Sequence, residues 1–308
     1  MACDILAYGE PMIEFNQTGG ATSRTYLQGF GGDTSNFAIA AARSGAKAGY
    51  ISALGADIYG QMFRDLWRFE GVDDSTVRED KGAPTAVYFV THDEKGHHFS
   101  FFRSGSAASR YAPADLPLDA IQEAKVLHIS GISLAISNSA CDAGFAAMTT
   151  ARASGCLVSF DTNLRLKLWP VSRAKAVIAE AIANTDICLP SLDDVATLFG
   201  VDEPDELVDL MLKLGAKVVA LKLGAQGALV ADAKTRTRIA PHKCKPVDAT
   251  GAGDTFGGAF IARLVAGDSL EQAGRYAATA AALSTEGYGA VEPIPDRARV
   301  LRAMERAS

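Results

Sequence analysis

A turn of small residues, Thr250-Gly251-Ala252-Gly253, runs straight into an apolar helical pattern of Phe256, Ala259, Phe260, Ile261, Leu264 and Val265. No other stretch restricts the chain as tightly, because a glycine turn must close and launch a helix at once. Glycines let backbone N–H groups approach a ligand closely. The helix start behind them carries unpaired N–H groups and the positive end of the dipole, so it can hold an anion. Asp254 sits at that same start. An anion hole beside a carboxylate suits phosphoryl transfer to a hydroxyl. The amides take the charge of the moving phosphate, and the carboxylate accepts the hydroxyl proton.

Two other readings use the same residues. One is an ordinary helix N-terminus, where an acid in the first turn is favoured anyway. The other is a dinucleotide fingerprint, since Gly251-x-Gly253-x-x-x-Gly257 is near G-x-G-x-x-G. That fingerprint closes the first strand of a βαβ unit and has an acid about 20 residues on. Here the motif lies late in the chain, and Pro246 and Asp248 interrupt the strand it would follow.

Of the 308 residues, 48% are hydrophobic, enough for one large α/β domain or a core with a small appendage. The formal charge of −6 offers no basic surface for nucleic acid and would be repelled by an anionic membrane. No apolar run approaches the roughly 20 residues of a membrane span, and the Met-Ala-Cys-Asp start lacks a secretory pattern. Cys3, Cys141, Cys156, Cys188 and Cys244 are scattered without a C-x-x-C pair, which fits a reducing cytoplasm and supports neither zinc nor a thiol nucleophile.

Strand-like and helix-like runs alternate along most of the chain, predicting a parallel sheet covered by helices. Strands are expected at Ile5–Tyr8, Ala48–Ala53, Val126–Ser130, Leu157–Phe160, Asp186–Leu189, Val218–Leu221 and Ala228–Ala231. Helices are expected at Ser35–Ser44 (with Gly45 as its stop), Tyr59–Glu70, Ser139–Ala153, Ser172–Ala183, Asp193–Gly200, Asp205–Leu214, Ala252–Val265, Ser269–Thr285 and Asp296–Ala307. Two β-rich stretches, at about 12–28 and 85–103, break the rhythm. The second reads as a hairpin turning at Asp93-Glu94-Lys95-Gly96. An all-β insert in an α/β chain suggests a lid over the site, or a sheet extension without function. His97 and His98 at this hairpin read as exposed polar residues rather than metal ligands.

With both ends in view, the chain resembles the ribokinase-type (PfkB) carbohydrate kinases. One family motif is matched by Gly31-Gly32-Asp33-Thr34-Ser35-Asn36-Phe37-Ala38, followed by Gly45 and Gly55, and the other by the 248–254 segment. Within the family it looks most like 2-keto-3-deoxygluconate kinases. The similar blocks are Gly-Gly-Asp-Thr (31–34), Phe-Phe-Arg-Ser-Gly-Ser-Ala (101–107), the ten residues from His128 to Ser137, and the ten from Phe160 to Trp169. The second and fourth blocks have near relatives in fructokinases.

The resemblance implies one ribokinase-like domain over 1–308. Its α/β class is a three-layer α/β/α core with a mostly parallel sheet plus a small β-sheet lid. It implies ATP with Mg2+ or another divalent cation, and allows for a monovalent cation. Asp254 becomes the base, and the amides of Gly251, Ala252 and Gly253 the anion hole. Lys222, Gly224 and Gly227 lie in a turn that the family sets against the nucleotide. Ser191 and Asp194 occupy positions where the family commonly has Asn and Glu. Asp194 would reach the metal through water. Ala278 falls near the adenine, and Ala249 replaces the usual Thr or Pro. On the acceptor side stand Gly32, Asn36, Tyr88, Arg103 and Arg165. The two arginines would neutralise the carboxylate of a sugar acid with a planar fork. Phe101 replaces a tyrosine common in 2-keto-3-deoxygluconate kinases.

The expected function is an ATP-dependent sugar kinase acting on a primary hydroxyl, with 2-keto-3-deoxy-D-gluconate as best acceptor and fructose as runner-up. A non-catalytic sugar- or nucleotide-binding module is the rival from another class, since fold does not fix function. The expected partners are the sugar or sugar acid and ATP, without nucleic acid or membrane. A homodimer through the lid is also expected, because an apolar lid strand needs cover.

Overall fold

Short apolar runs build the centre of the molecule. In this computed structural model, which describes residues 3–20, 22–93 and 96–307, strand Ile5–Tyr8 lies between Ala48–Gly55 and Val126–Ser130 and is parallel to both. All four of its residues are buried, as a strand covered on both faces requires. The sheet has nine strands among the described residues. From one edge they run Arg236–Ile239, Ala228–Asp232, Val218–Lys222, Ile187–Cys188, Leu157–Asp161, Val126–Ser130, Ile5–Tyr8, Ala48–Gly55 and Val77–Asp80. Only the pairings along Val218–Ile239 are antiparallel.

Side chains alternate between two apolar layers, following the two-residue period of a strand. Leu6, Tyr8, Leu127, Ile129, Val158 and Phe160 pack on one face with the Asn138–Ser154 and Val171–Ala183 helices. Ile5, Ala7, Tyr50 and Val126 pack on the other, with Asp33–Arg43, Ile58–Glu70, Ala252–Val265 and Leu270–Ser284. This is the expected three-layer α/β/α core.

One contact between helices is very close. A Cβ on Gly258 would lie 2.3 Å from the Phe37 carbonyl oxygen, and one on Gly257 would lie 3.2 Å from the Phe37 ring. The 252–265 helix therefore rests almost directly on the backbone of the 33–43 helix. These two glycines serve close packing rather than a ligand.

The expected lid is a separate four-stranded sheet in the order Thr25–Gly31, Met12–Thr18, Ala86–Asp93, Gly96–Phe102. Its central pair is parallel and its outer pairs antiparallel. One face, with Ile13, Phe15, Phe30 and Val87, joins the core beside the 58–70 helix. On the other, Met12, Ala86, Tyr88 and Val90 form a small buried cluster, while Leu27, Phe99 and Phe101 stay exposed. Two residues of the hairpin turn, Glu94 and Lys95, lie outside the described residues, as does the His97 side chain; His98 is exposed and paired with Asp93.

Most expected elements appear with ends moved by a residue or two. The first helix starts earlier, at Asp33, and the strand expected over 186–189 shrinks to Ile187–Cys188. Strands Val77–Asp80 and Arg236–Ile239 were not legible, being charged edge strands with no apolar alternation.

Candidate active site

The 252–265 helix begins at a turn built to hold its shape. Gly251 takes a left-handed conformation (φ 74°), and the first helical bond runs from the Thr255 N–H to its carbonyl at 2.8 Å. A Cβ on Gly251 would also come within 3.0 Å of Ala290, so the position excludes a side chain twice over. The Asp248 carboxylate accepts the Thr250 N–H at 2.9 Å, the Thr250 hydroxyl at 2.7 Å and the Gly289 N–H at 2.9 Å. The turn is thereby stapled before any ligand arrives. Of the three amides expected in the anion hole, Ala252 donates within the turn to Ala249 at 3.2 Å. Those of Gly251 and Gly253 make no such backbone bond among the described residues.

Asp254 is half-buried in the first helical turn. Its Oδ2 accepts a hydrogen bond from the Asn36 side-chain amide at 2.9 Å, across the packed helix pair. Burial, together with the negative charge of Asp33, pushes the Asp254 carboxyl up to about 7, although the Asn36 bond opposes the shift. A carboxylate with this property is suited to take a proton near neutral pH.

Lys222, at the end of its strand, is ion-paired across the short Ile187–Cys188 strand with the buried Asp161, at the end of the Leu157–Asp161 strand. Burial raises the Asp161 carboxyl, and the Lys222 charge opposes that. A Cβ on Gly253 would stand 3.5 Å from the Lys222 ammonium, which places a cation beside the helix start. Ser191 opens the Leu192–Phe199 helix and bridges in parallel to Lys222, with its hydroxyl unused as a cap. Asp194 braces the loop after Asp161 by accepting the Leu164 N–H at 3.1 Å and the Thr162 hydroxyl at 3.5 Å.

The two turn glycines beyond Lys222 differ. Gly227 (φ 88°) is a turn requirement, because a Cβ would meet the Ile239 carbonyl oxygen at 2.1 Å. Gly224 has nothing within 4 Å of the same test position and faces open space. Ala278 is buried in the Leu270–Ser284 helix.

Of the residues expected at the acceptor, Gly32 (φ 111°) caps the 33–43 helix, and a Cβ there would lie 2.5 Å from the Glu10 carbonyl oxygen. Tyr88 donates its hydroxyl to Glu14, and Gly31 leaves room for the phenol. Burial and the Glu14 carboxylate hold the Tyr88 phenol well above its usual range, and the negative charges of Asp254 and Asp248 add to this. Arg103 is not a free cation: it is ion-paired with Glu10, which also accepts the Ser106 hydroxyl at 2.8 Å. Arg165 is exposed and donates to the carbonyl of Leu164 at 2.8 Å.

A family model described as pfkB family carbohydrate kinase matches residues 3–297. The chain belongs to this family. Rice (Oryza sativa subsp. japonica) Fructokinase-1 is 34% identical, with 98% of each chain covered. A 2-dehydro-3-deoxygluconokinase of Thermoproteus tenax is 35% identical over 94% of this chain and 91% of the relative. Among solved structures, a fructokinase of Vibrio cholerae O395 in a fructose-, ADP- and calcium-bound form superposes with a TM-score of 0.87. It has 26% identity and covers 98% of this chain and 99% of that one.

In this carbohydrate kinase the structure gathers Asp254, Asn36, Lys222 and the glycine turn, all named from the sequence, at one place. Glu10, Glu14, Asp33, Asp161 and Asn163 were missed. Glu10 and Asp161 each sit at the carboxyl end of a strand of the main sheet, where open α/β sheets place their ligands. That position was the available signal.

Proposed function

We propose that this carbohydrate kinase transfers a phosphoryl group from ATP to a primary hydroxyl of a small sugar or sugar acid. The favoured acceptor is 2-keto-3-deoxy-D-gluconate, giving its 6-phosphate. The observation that carries the chemistry is the Asn36–Asp254 pair beside the helix start at Gly253. Asn36 occupies Oδ2, and Asp254 accepts the acceptor's proton through its other oxygen. The amides of Gly251 and Gly253 and the Lys222 ammonium stabilise the charge that builds on the transferring group. Gly32 and Tyr88 border the acceptor. Ser191 and Gly224 take the nucleotide side, and Gly227 keeps the turn between them in shape.

The residues fit a nucleotide with its cation. A lysine stands at an open helix start, and glycine replaces any side chain that would block it. ATP supplies the phosphoryl group, and a divalent cation such as Mg2+ neutralises phosphate charge. Mg2+ is usually held by one or two carboxylates plus phosphate oxygens, and Asp194 is the carboxylate we assign to it, through water. A monovalent cation is a further candidate that activity in potassium against sodium buffers would reveal.

The sugar-acid assignment rests on the exposed Arg165 guanidinium and on the similarity to the Thermoproteus tenax enzyme. Fructose is the second reading. The Glu10–Arg103 pair favours it, since it leaves the pocket less positive than two free arginines would, and the rice fructokinase is similar to the same degree. We treat 1–308 as one kinase unit and propose that two copies pair through the lid, covering Leu27, Phe99 and Phe101. No helix among the described residues is long and apolar enough to cross a membrane.

The test is ATP turnover with Mg2+ against 2-keto-3-deoxygluconate, its galactonate epimer, fructose, ribose and gluconate. Preference for the keto-deoxy acids supports the full assignment. Preference for fructose keeps Asp254 as base and reassigns the pocket. No turnover with any acceptor, alongside calorimetric ATP binding, would point to a binding module.

A further inference from the structure

The 33–43 helix carries two polar side chains into the site, one turn apart. Asn36 reaches Asp254. Asp33, on the same helical face by its i, i+3 spacing, accepts a hydrogen bond on Oδ2 from the Asn163 side chain at 2.7 Å. Asn163 has φ 27°, and among the described residues it alone has a positive φ without being glycine. Such a conformation is costly and persists where the surroundings hold it. Here its own N–H donates to Asp161 Oδ1 at 3.1 Å while its side chain holds Asp33. Asp161 pairs with Lys222, and Lys222 flanks Gly253. Three hydrogen bonds and one ion pair, joined by the helix turn between Asp33 and Asn36, link Asp254 through Asn36, Asp33, Asn163 and Asp161 to Lys222, which stands beside the helix start.

We infer that Asp33 is a positioning residue of the transfer site, fixed by Asn163, which acts on Asp254 through space and through the placement of Asn36. This rests on the reading of Asp254 as base. The groups that face Asp254 are Asp33 and Asn36 from the 33–43 helix, Asp161 and Lys222 from the two strand ends, and Tyr88 from the lid. Asp33 is the largest charge acting to keep Asp254 protonated, and Lys222 is the opposing one. Removing the Asp33 charge therefore lets Asp254 ionise at lower pH. Removing its tether loosens the first helical turn and with it Asn36.

The experiment uses Asp33→Asn, Asp33→Glu and Asn163→Gly, the last because glycine tolerates the positive φ. Two readouts are taken: carbon-13 titration of the Asp254 carboxyl in the ligand-free protein, and the acid limb of kcat against pH. Asp33→Asn is expected to lower both midpoints by about half a unit or more. Asp33→Glu restores them toward the parent. Asn163→Gly lowers kcat about tenfold with the KM for ATP unchanged. Unchanged midpoints in Asp33→Asn, or equal midpoints in the Asn and Glu variants, overturn the inference. If the parent phosphorylates no sugar, the kinase reading fails separately, and the carboxyl titration still decides the role of Asp33.

Discussion

The buried carboxylate of Glu10 is ion-paired with the guanidinium of Arg103 and takes a second hydrogen bond from Ser106. The pair fixes Arg103 and cancels its charge. Glu10→Gln keeps the shape and leaves a largely buried cation without its partner. Loss of one member of a buried pair costs about 3 kcal/mol. Urea unfolding should show a loss of that order. The uncancelled charge should also improve the KM for a sugar acid relative to fructose by about tenfold. An unchanged KM ratio would mean that Arg103 does not sense the acceptor.

Asp254→Asn removes the base while keeping a side chain that can still meet Asn36. We expect kcat to fall about a thousandfold, within the range for loss of general base catalysis. The ATP dissociation constant, measured by calorimetry, should stay within about twofold. A loss of only a few-fold in kcat would show that another group takes the proton.

The raised Asp254 carboxyl fixes the direction of two pH effects. The base works when ionised, so kcat/KM should fall about tenfold per unit below pH 7. Stability runs the other way. The folded protein holds this proton more tightly than the unfolded chain, so Asp254 supports stability at acid pH, and the support disappears as pH rises through about 7. Asp254→Asn should therefore raise the Tm of the ligand-free protein at pH 8, by about 2–4 °C, and give no gain at pH 4. Thermal unfolding at the two pH values checks the sign.

Leu27 is 65% exposed on the lid face opposite the core, on one edge strand, with Phe99 and Phe101 on the same face of the other edge strand. If two lids cover each other across this face, a charge at Leu27 prevents it. Leu27→Asp should convert a dimer to a monomer in sedimentation velocity, with the Tm little changed. A parent that sediments as a monomer at micromolar concentration would dismiss lid pairing.

What could be read from the sequence was local. The 252–265 helix came out with both ends correct because its glycine turn and its Phe256, Phe260 and Leu264 spacing are written in adjacent residues. Strand Val126–Ser130 likewise declared itself as a short apolar run. Strand Val77–Asp80 did not, since Arg78 and Glu79 point to solvent and the segment is held by backbone bonds to Ser52–Gly55. The charge balance of the site was equally hidden. Arg103 reads as an available cation until the fold brings Glu10 against it. Asp33 reads as a helix-start acid until Asn163, 130 residues away, closes on it. Partners of that kind are chosen by topology, and no periodicity announces them.

The lid sheet shares no strand with the nine-stranded sheet. Tyr88, Phe101 and Arg103 are carried on or beside the lid strands, whereas Lys222 and the stapled 248–254 turn belong to the main body. Substitutions on the lid strands can thus change Tyr88 and its surroundings while the 248–254 turn and Lys222 stay as they are. Two sheets without a shared strand let the lid shift as a unit against the body that carries Lys222 and the 248–254 turn.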